Sequence, residues 1–521
     1  MSILGGSIPG TPSFRNEQKG LNIPGKSSEP SLIQRLDLIS KKSADVGVSI
    51  LGGTVRLQYW ESILQDSVRA SVIFTDTGNT LPRKKTRFGG SKSGKVGVVE
   101  GLPVEGGEKT FLKFTDNQGN TLDFSTDSNL FINKITSIPT DGETTNKAYE
   151  LDLASKEYID NEEGWSRVRH CLSGQISEEV ENILKDNLKT KKDLDIEDTK
   201  DRLQYIGNNK KPFYTINELS KKAVSSKNQG SEGNTAGYFF WETANGFHFK
   251  SIDTLLTGKQ KTSIIYNESA DPNPPVGYKI KALSLEMDNR IDVQKKKRMG
   301  AYSTRSFLLD PFKGTWECTS EDALGSEGQE KVNNEEIKTA GERLPFPAKE
   351  FNSEEADTAF TRTTWNLIST GQLNYGPIDG QLTDSKKINF DYSKIFNQSI
   401  RRYNQVFASQ ITIVIPGDFS LHAGDTVFMD IPESGTSENK ACSDEVNKED
   451  GGLYLITDLC HHVTSKETYT KLVLSRDSFG RVGTPTKGSE NANKGMSLGD
   501  GAGFLWYTII NTNVTEIFYD Y

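Results

Sequence analysis

Cys460, His461 and His462 stand side by side in a chain that holds only 4 cysteines and 5 histidines. A thiol and two imidazoles in one short stretch are the raw material of a zinc site or of a nucleophile activated by a base. Their surroundings read as a strand, "GGLYLITDLCHHVTSKETYTKLVLSRDSFGR" over 451 to 481. Successive side chains on a strand point to opposite faces, so His461 and His462 diverge, while Cys460 and His462 share a face. A third ligand would have to come from elsewhere, from His422 or Asp458. Zinc sites usually carry two close ligand pairs, and only half of one is present. The stretch is expected to be structural. Leu455, Leu459 and Val463 alternate with solvent or interface residues, Ser465-Lys466-Glu467 turns, and "TYTKLVLSRDS" returns as the partner strand.

A second candidate is "GGSKSGKV" at 89 to 96. Gly89, Gly94 and Lys95 keep the spacing of a phosphate-binding loop, but Val96 stands where a hydroxyl should hold magnesium. Such a loop also needs a strand before it and a helix after it. Here "RKKTRF" precedes, and Gly97, Gly101 and Pro103 oppose a helix. The stretch reads instead as a basic hairpin tip suited to an acidic partner. Arg83, Lys84 and Lys85 are its candidate interface residues, with Arg87, Lys92 and Lys95 adding charge. Neither a G-x-S-x-G elbow nor an H-E-x-x-H pair is present. The expectation is a non-enzyme with no catalytic residues, no cofactor and no metal, although the abundant acidic residues leave a carboxylate pair for sugar hydrolysis open. "VQKKKR" at 293 to 298 reads as a solvated edge.

At 521 residues the chain is too long for one core, and roughly three or four domains are expected. Apolar residues make up 34%, charged residues 26%, and glycine is frequent at 47, which indicates a β-leaning, loop-rich protein. No stretch approaches the roughly 20 apolar residues of a membrane span, so no membrane insertion is expected. "MSILGGSIPGTPSFRNEQKG" lacks the features of a signal peptide. Cys171, Cys318, Cys442 and Cys460 are scattered without CxxC spacing, as in a protein made and kept in a reducing cytoplasm. A net charge of −9 argues against a nucleic-acid coat, yet a negative lumen would let DNA slide past without sticking.

Periodicity divides the chain. Residues 1–47 read as an extended arm. Over 48–160 short alternating segments, among them Val55, Leu57 and Tyr59 and then Val68, Ala70, Val72 and Phe74 after a Gln65-Asp66 turn, predict a first small β-barrel. Helical spacing follows in 161–274, at Val180, Ile183, Leu184 and Leu188 with Ser177 as N-cap, and at "TINELSKKAV" with Thr215 and Glu218 as a capping box. There Asn245-Gly246, between "YFFWET" and "FHFKS", is the strongest hairpin signal in the chain. Region 275–394 is expected to be partly irregular, with little periodicity over 300 to 394, and to lend strands to the next unit. A helix at "YSKIFNQSIRRYNQVFASQ" then leads into a second β-barrel over 395–485, and 486–521 reads as a linker with an aromatic tail. The fold class is thus α+β and β-rich, multidomain, with two small antiparallel barrels flanking an α/β middle and with N- and C-terminal arms.

With these residues in view, the chain resembles the baseplate central hub subunit of T-even-like contractile-tailed bacteriophages, a family related in fold to the hub part of type VI secretion spike proteins. The segments "FASQITIVIPGDFSLHAGDTVFMDIPE" and "GGLYLITDLCHHVTSKETYTKLVLSRDS" carry the likeness, with Gly417, Phe419, Leu421, Gly424, Tyr454, His461, Thr470 and Leu472 where the family pattern expects them. "LQYWESILQDSVRASVIFTD" and "YFFWETANGFHFKSIDTLL" resemble the first barrel's opening strands and the middle hairpin. The arm, the 310 to 394 region and the tail beyond 485 have no assigned counterpart. The resemblance implies a structural virion protein, a homotrimer whose paired barrels make a six-fold ring. That ring would join the hexameric tail tube to a trimeric central spike, touch other baseplate proteins, and form part of a channel that DNA crosses without specific binding. It implies assembly in the host cytoplasm and residence in the phage tail.

Two other classes stay open: a tail-associated hydrolase of cell-wall sugars, and a glycan- or receptor-binding tail protein. Exposed aromatics would serve the latter, and Trp506 and Tyr507 are the available hint. For 504 to 521, including Trp506, Tyr507 and Phe518, the expectation is a strand or apolar plug added to a neighbouring protein.

Overall fold

The computed structural model describes residues 31–479 except for several internal segments, the longest being 83–93, 344–361, 381–392 and 432–449. It is a β-rich α+β architecture of several sheets. In the first β unit, β1 (Leu32–Ile39), β2 (Gly47–Ser49), β3 (Thr54–Ser62), β4 (Arg69–Asp76), β5 (Lys109–Thr115), β6 (Thr121–Phe124), β7 (Leu130–Ile138) and β8 (Lys147–Ser155) pair antiparallel throughout. The strand order β3-β4-β8-β7-β5-β1-β2 curls around one core. Leu57, Tyr59, Val72, Phe74, Phe114, Phe124 and Leu151 fill it, all from inward positions of the alternating pattern.

The middle unit holds β9 (Cys171–Gln175), β10 (Leu194–Ile196), β11 (Arg202–Ile206), β12 (Tyr238–Thr243) and β13 (Gly246–Ser251), with helices α1 (Ile176–Asn182), α2 (Pro212–Ser220) and α3 (Ile252–Leu256). A hairpin forms where Asn245-Gly246 predicted one, but its two turn residues are Ala244 and Asn245, and Gly246, at φ 131°, opens the second strand opposite Thr243. Both expected helix starts move. The chain is helical from Ile176, and Ser177 lies within the helix, exchanging hydrogen bonds with Thr199 across the core. Pro212 opens α2, so Thr215 turns back onto the Lys211 carbonyl and Glu218 accepts from Lys210 at 2.6 Å. Proline's fixed φ set that start, three residues before the capping-box pattern.

The second β unit is gathered from distant segments: β14 (Gln260–Ile265), β15 (Ile280–Lys281), β16 (Ser284–Met287), β20 (Ser409–Pro416), β21 (Thr426–Asp430), β22 (Gly452–Thr464) and β23 (Thr468–Arg476). The labels between belong to a three-stranded sheet of β17 (Ser303–Asp310), β18 (Thr315–Asp322) and β19 (Arg362–Leu367). Pairings run in a circuit, since β14 joins β21, β21 joins β22, and β23, β20 and β16 follow. Segment 280–287 completes it, bonding β14 through the Ala282 amide and β20 through the Leu283 amide. Ile264, Ile413, Leu421, Met429, Tyr454 and Leu472 fill this core. Helix α4 (Ser393–Val406) packs beside it. Among the described residues no helix is long and apolar enough to cross a membrane.

Candidate functional site: the joint between the β units

The 13-residue strand β22 belongs to both units. One of its edges pairs with β23. The other pairs first with β21, over Gly452 to Leu455, and then with β3, over Asp458 to Thr464. The β22–β23 register shifts between Ile456 and Asp458, and the skipped Thr457 accepts a bond from the Ile63 amide at 2.9 Å. A bulge bends its strand and increases local twist, which here lets a single strand leave one unit and enter the other. The result is a continuous 15-stranded sheet.

The cysteine-histidine cluster lies at this crossing. His461 points into the first unit's core, stacked with Tyr59 at 6.1 Å and edge-on to Phe419 at 4.7 Å, with Nδ1 2.9 Å from Thr470 Oγ1. Burial pushes its pKa down to about 3. His462 points to the opposite face, where Nδ1 meets the Tyr469 hydroxyl at 2.7 Å, and burial, reinforced by Arg56, pushes it down to about 4. Burial holds the Cys460 thiol up at about 12, far from the thiolate a ligand or nucleophile requires. The divergence expected from strand geometry is present. Of the two expected neighbours for the alternate positions, solvent or an interface, solvent is not the one found, because β22 is covered on both faces. Groups of three or more potential metal ligands are absent among the described residues.

The loop between β20 and β21 is the second part of the joint. Phe419 leaves its own unit and enters the first core, edge-on to Phe114 at 5.0 Å, while its amide donates to Asp116 at 2.9 Å. Two residues on, Leu421 packs in the second core. Ala423 offers its carbonyl to Trp241 Nε1 of the middle unit at 3.1 Å. Gly424 lies on that same indole with φ 93°, and a Cβ there would come within 2.6 Å of the ring.

Glu61 closes the joint from β3. It accepts from the Tyr59 hydroxyl at 2.8 Å, the Ala244 amide at 2.8 Å, the Ala423 amide at 3.0 Å and His422 Nδ1 at 3.1 Å. One carboxylate therefore collects donors from all three units. Burial alone would raise its pKa, but the His422 charge and these hydrogen bonds outweigh burial and bring it to about 2. Reciprocally, burial opposes the His422 charge, and Glu61 overcomes it to raise His422. Beside it Lys192 reaches Glu157 at 2.7 Å and also Glu242, whose other oxygen accepts from the Val68 amide at 3.1 Å. Arg402 of α4 joins Asp253 at 2.6 Å and Asp477 at 3.2 Å, all three buried. An apolar cluster of Ile63, Phe239, Trp241, Leu255, Val406 and Leu455 fills the space between.

Sequence reasoning missed Glu61, although a signal was present. In "LQYWES" the inward alternation of Leu57 and Tyr59 continues to Glu61, and an acid on an apolar face requires buried partners. The candidate interface residues Arg83, Lys84, Lys85, Trp506, Tyr507 and Phe518 all lie outside the described residues. The phosphate-loop candidate is followed by a single helical turn, Val98–Gly101, despite its glycines, and Val98 donates its amide to Asp76 at 2.7 Å.

No family model and no curated protein matches the chain. Among solved structures it is similar to a tail protein from Neisseria meningitidis, with 7% identity over 85% of this chain and 96% of that one and a TM-score of 0.43. It is also similar to a 43 kDa tail protein of prophage MuSo2 from Shewanella oneidensis, at 6% identity, 85% and 98% coverage and a TM-score of 0.43. An E. coli component of the type VI secretion system aligns at 8% identity, 83% and 77% coverage and a TM-score of 0.36.

Proposed function

We propose that the chain is a structural virion protein, the hub subunit of a contractile phage tail baseplate. In this reading three copies form a ring that joins the hexameric tail tube to a trimeric spike and surrounds the channel through which DNA is ejected. The observation that carries it is the joint. One chain holds two β units edge to edge in a single sheet, fastened by a shared strand, an exchanged phenylalanine and a buried carboxylate. A subunit with two fixed β units is what a three-fold assembly needs to present six equivalent elements to a six-fold partner, provided the two units cannot pivot. The chemistry at the joint serves rigidity, since its histidines and cysteine are held neutral or paired. The resemblance of the 407 to 433 and 451 to 478 segments to the hub family supports the same reading.

The test is the native mass of the purified protein, alone and mixed with the tail-tube and spike proteins of the same particle, with particle images. The expected outcome is a three-copy ring with an open centre, formed alone or on mixing. A monomer that ignores both neighbours would remove the hub reading and put carboxylate hydrolysis and glycan binding first.

A further inference from the structure

The sheet of β17, β18 and β19 is oriented against the usual rule. Its inward face contributes one large apolar side chain, Leu308, to the middle core, beside Ser306, which bonds Thr364 at 2.8 Å, and buried Asp310. Its outward face carries the aromatic residues. Trp316 pairs in register with Leu309, and Trp365 with Phe307, while Leu367 flanks Leu309. Trp316 is 69% exposed, Trp365 and Leu367 are each 74% exposed, and Phe307 stacks on Trp365 at 4.3 Å between the two indoles. Contiguous apolar surface of this kind, on the order of several hundred Å², is uncommon on a finished surface and marks a binding face.

We infer that this face is the docking surface for the chain's own segment 504–521, reached in cis. That segment, "FLWYTIINTNVTEIFYDY", carries six aromatic and five aliphatic residues and no lysine or arginine. It has the composition of a strand that needs a surface to cover it. The chain's exit favours this occupant. The last described strand, Ser478–Phe479, follows directly on β23, and α4 packs against β23 as well as against β17 and β18. The Gly-, Asn- and Ser-rich stretch 480–503 separates that exit from the segment. By composition and length alone, a Gly-rich chain of 24 residues has a random-coil reach of about 25–30 Å on average. It holds its cargo at roughly millimolar effective concentration, far above that of a second copy in dilute solution.

Cys318 supplies the probe, since it lies exposed on this face opposite Phe307. In a background with Cys171→Ser and Cys442→Ser, either Tyr507→Cys or Phe518→Cys is introduced, with Met496→Cys in the linker as control. Mild oxidation is followed on non-reducing gels and by peptide mass mapping. The expected result is an intrachain link from Cys318 to the segment. It should form about tenfold faster than the link to the linker control, which tethering alone would favour, and be independent of protein concentration. Trp365→Asp with Leu367→Asp, both at exposed positions, should abolish that advantage. Truncation after Gly503 should speed maleimide labelling of Cys318 by a similar factor. Equal rates for segment and linker, or no effect of the face variant, would overturn the docking. Links found only between two chains would assign the face to a second copy and overturn the cis arrangement. Neither result bears on the trimeric ring, which the mass measurement tests separately.

Discussion

The two β units reach similar sheets by opposite routes. The first lies almost unbroken over residues 32–155, and four of its pairings (β1–β2, β3–β4, β5–β6 and β7–β8) join strands consecutive in sequence. The second draws strands from 260–265, 280–287, 409–430 and 452–476, and two of its pairings are parallel. Closing long loops before any contact forms costs chain entropy, so the first unit can form from local hairpins while the second depends on the rest of the molecule. The difference teaches where the molecule is vulnerable. Damage around the second unit should spread into the middle and the joint, whereas the first unit should retain much of its own protection.

Arg402→Ala should have the largest effect. It leaves Asp253 and Asp477 buried without their cation, at a cost of about 3–5 kcal/mol in denaturant unfolding. Hydrogen exchange should report the loss mainly in α3, α4 and β23. Equal loss over β4, β7 and β8 would break the distinction between the units. Phe419→Ala, which empties a place in the first core from a loop of the second unit, should cost about 3 kcal/mol and loosen both. Were only the second unit affected, the exchanged phenylalanine would not be a bolt. Gly424→Ala combines a positive φ with an approach to the Trp241 indole and should lose about 1–3 kcal/mol, seen as a lowered denaturant midpoint with altered tryptophan emission.

Glu61→Gln should cost about 1–3 kcal/mol near neutrality and flatten the pH profile. Because the folded pKa of Glu61 is depressed to about 2, its stabilisation is present above about pH 4.5 and is lost as pH falls toward 2. His422 is raised instead, so its contribution is complete below about pH 6.5 and is lost as pH rises through the folded value. The joint should therefore be tightest between those limbs, and unfolding midpoints at acid, mildly acid and alkaline pH check both. The smallest effect belongs to Trp316→Ser in the chain truncated after Gly503, where nothing covers this exposed position, with a stability change within about 0.5 kcal/mol. A larger loss would mean that the outlying sheet is part of the core rather than a surface.

Much of this was readable residue by residue. The first unit's strands, the Asn245-Gly246 hairpin and the helix after Asp391 all follow from period and turn chemistry, because each is decided by neighbours within a few residues. The helix starts were displaced because Pro212 and the strand ending at Gln175 set them, and not the hydroxyls at Thr215 and Ser177. The divergence of His461 and His462 was also readable, since it needs only the two-residue period of a strand. Their burial was not. It depends on β3 and β23 pairing along either edge of β22 and on cores from both units covering its faces.

By itself the amino-acid sequence determined the β-rich class, the local hairpins and the poverty of soft ligands, all properties of composition and short-range geometry. Only the tertiary structure decided that one strand serves two units, that Phe419 crosses from one core to the other, and that Glu61 gathers its donors from all three units. The bond from the Ala423 amide to Glu61 alone joins residues 362 positions apart. No local preference encodes such a contact, because its free energy exists only once the intervening chain has folded around it.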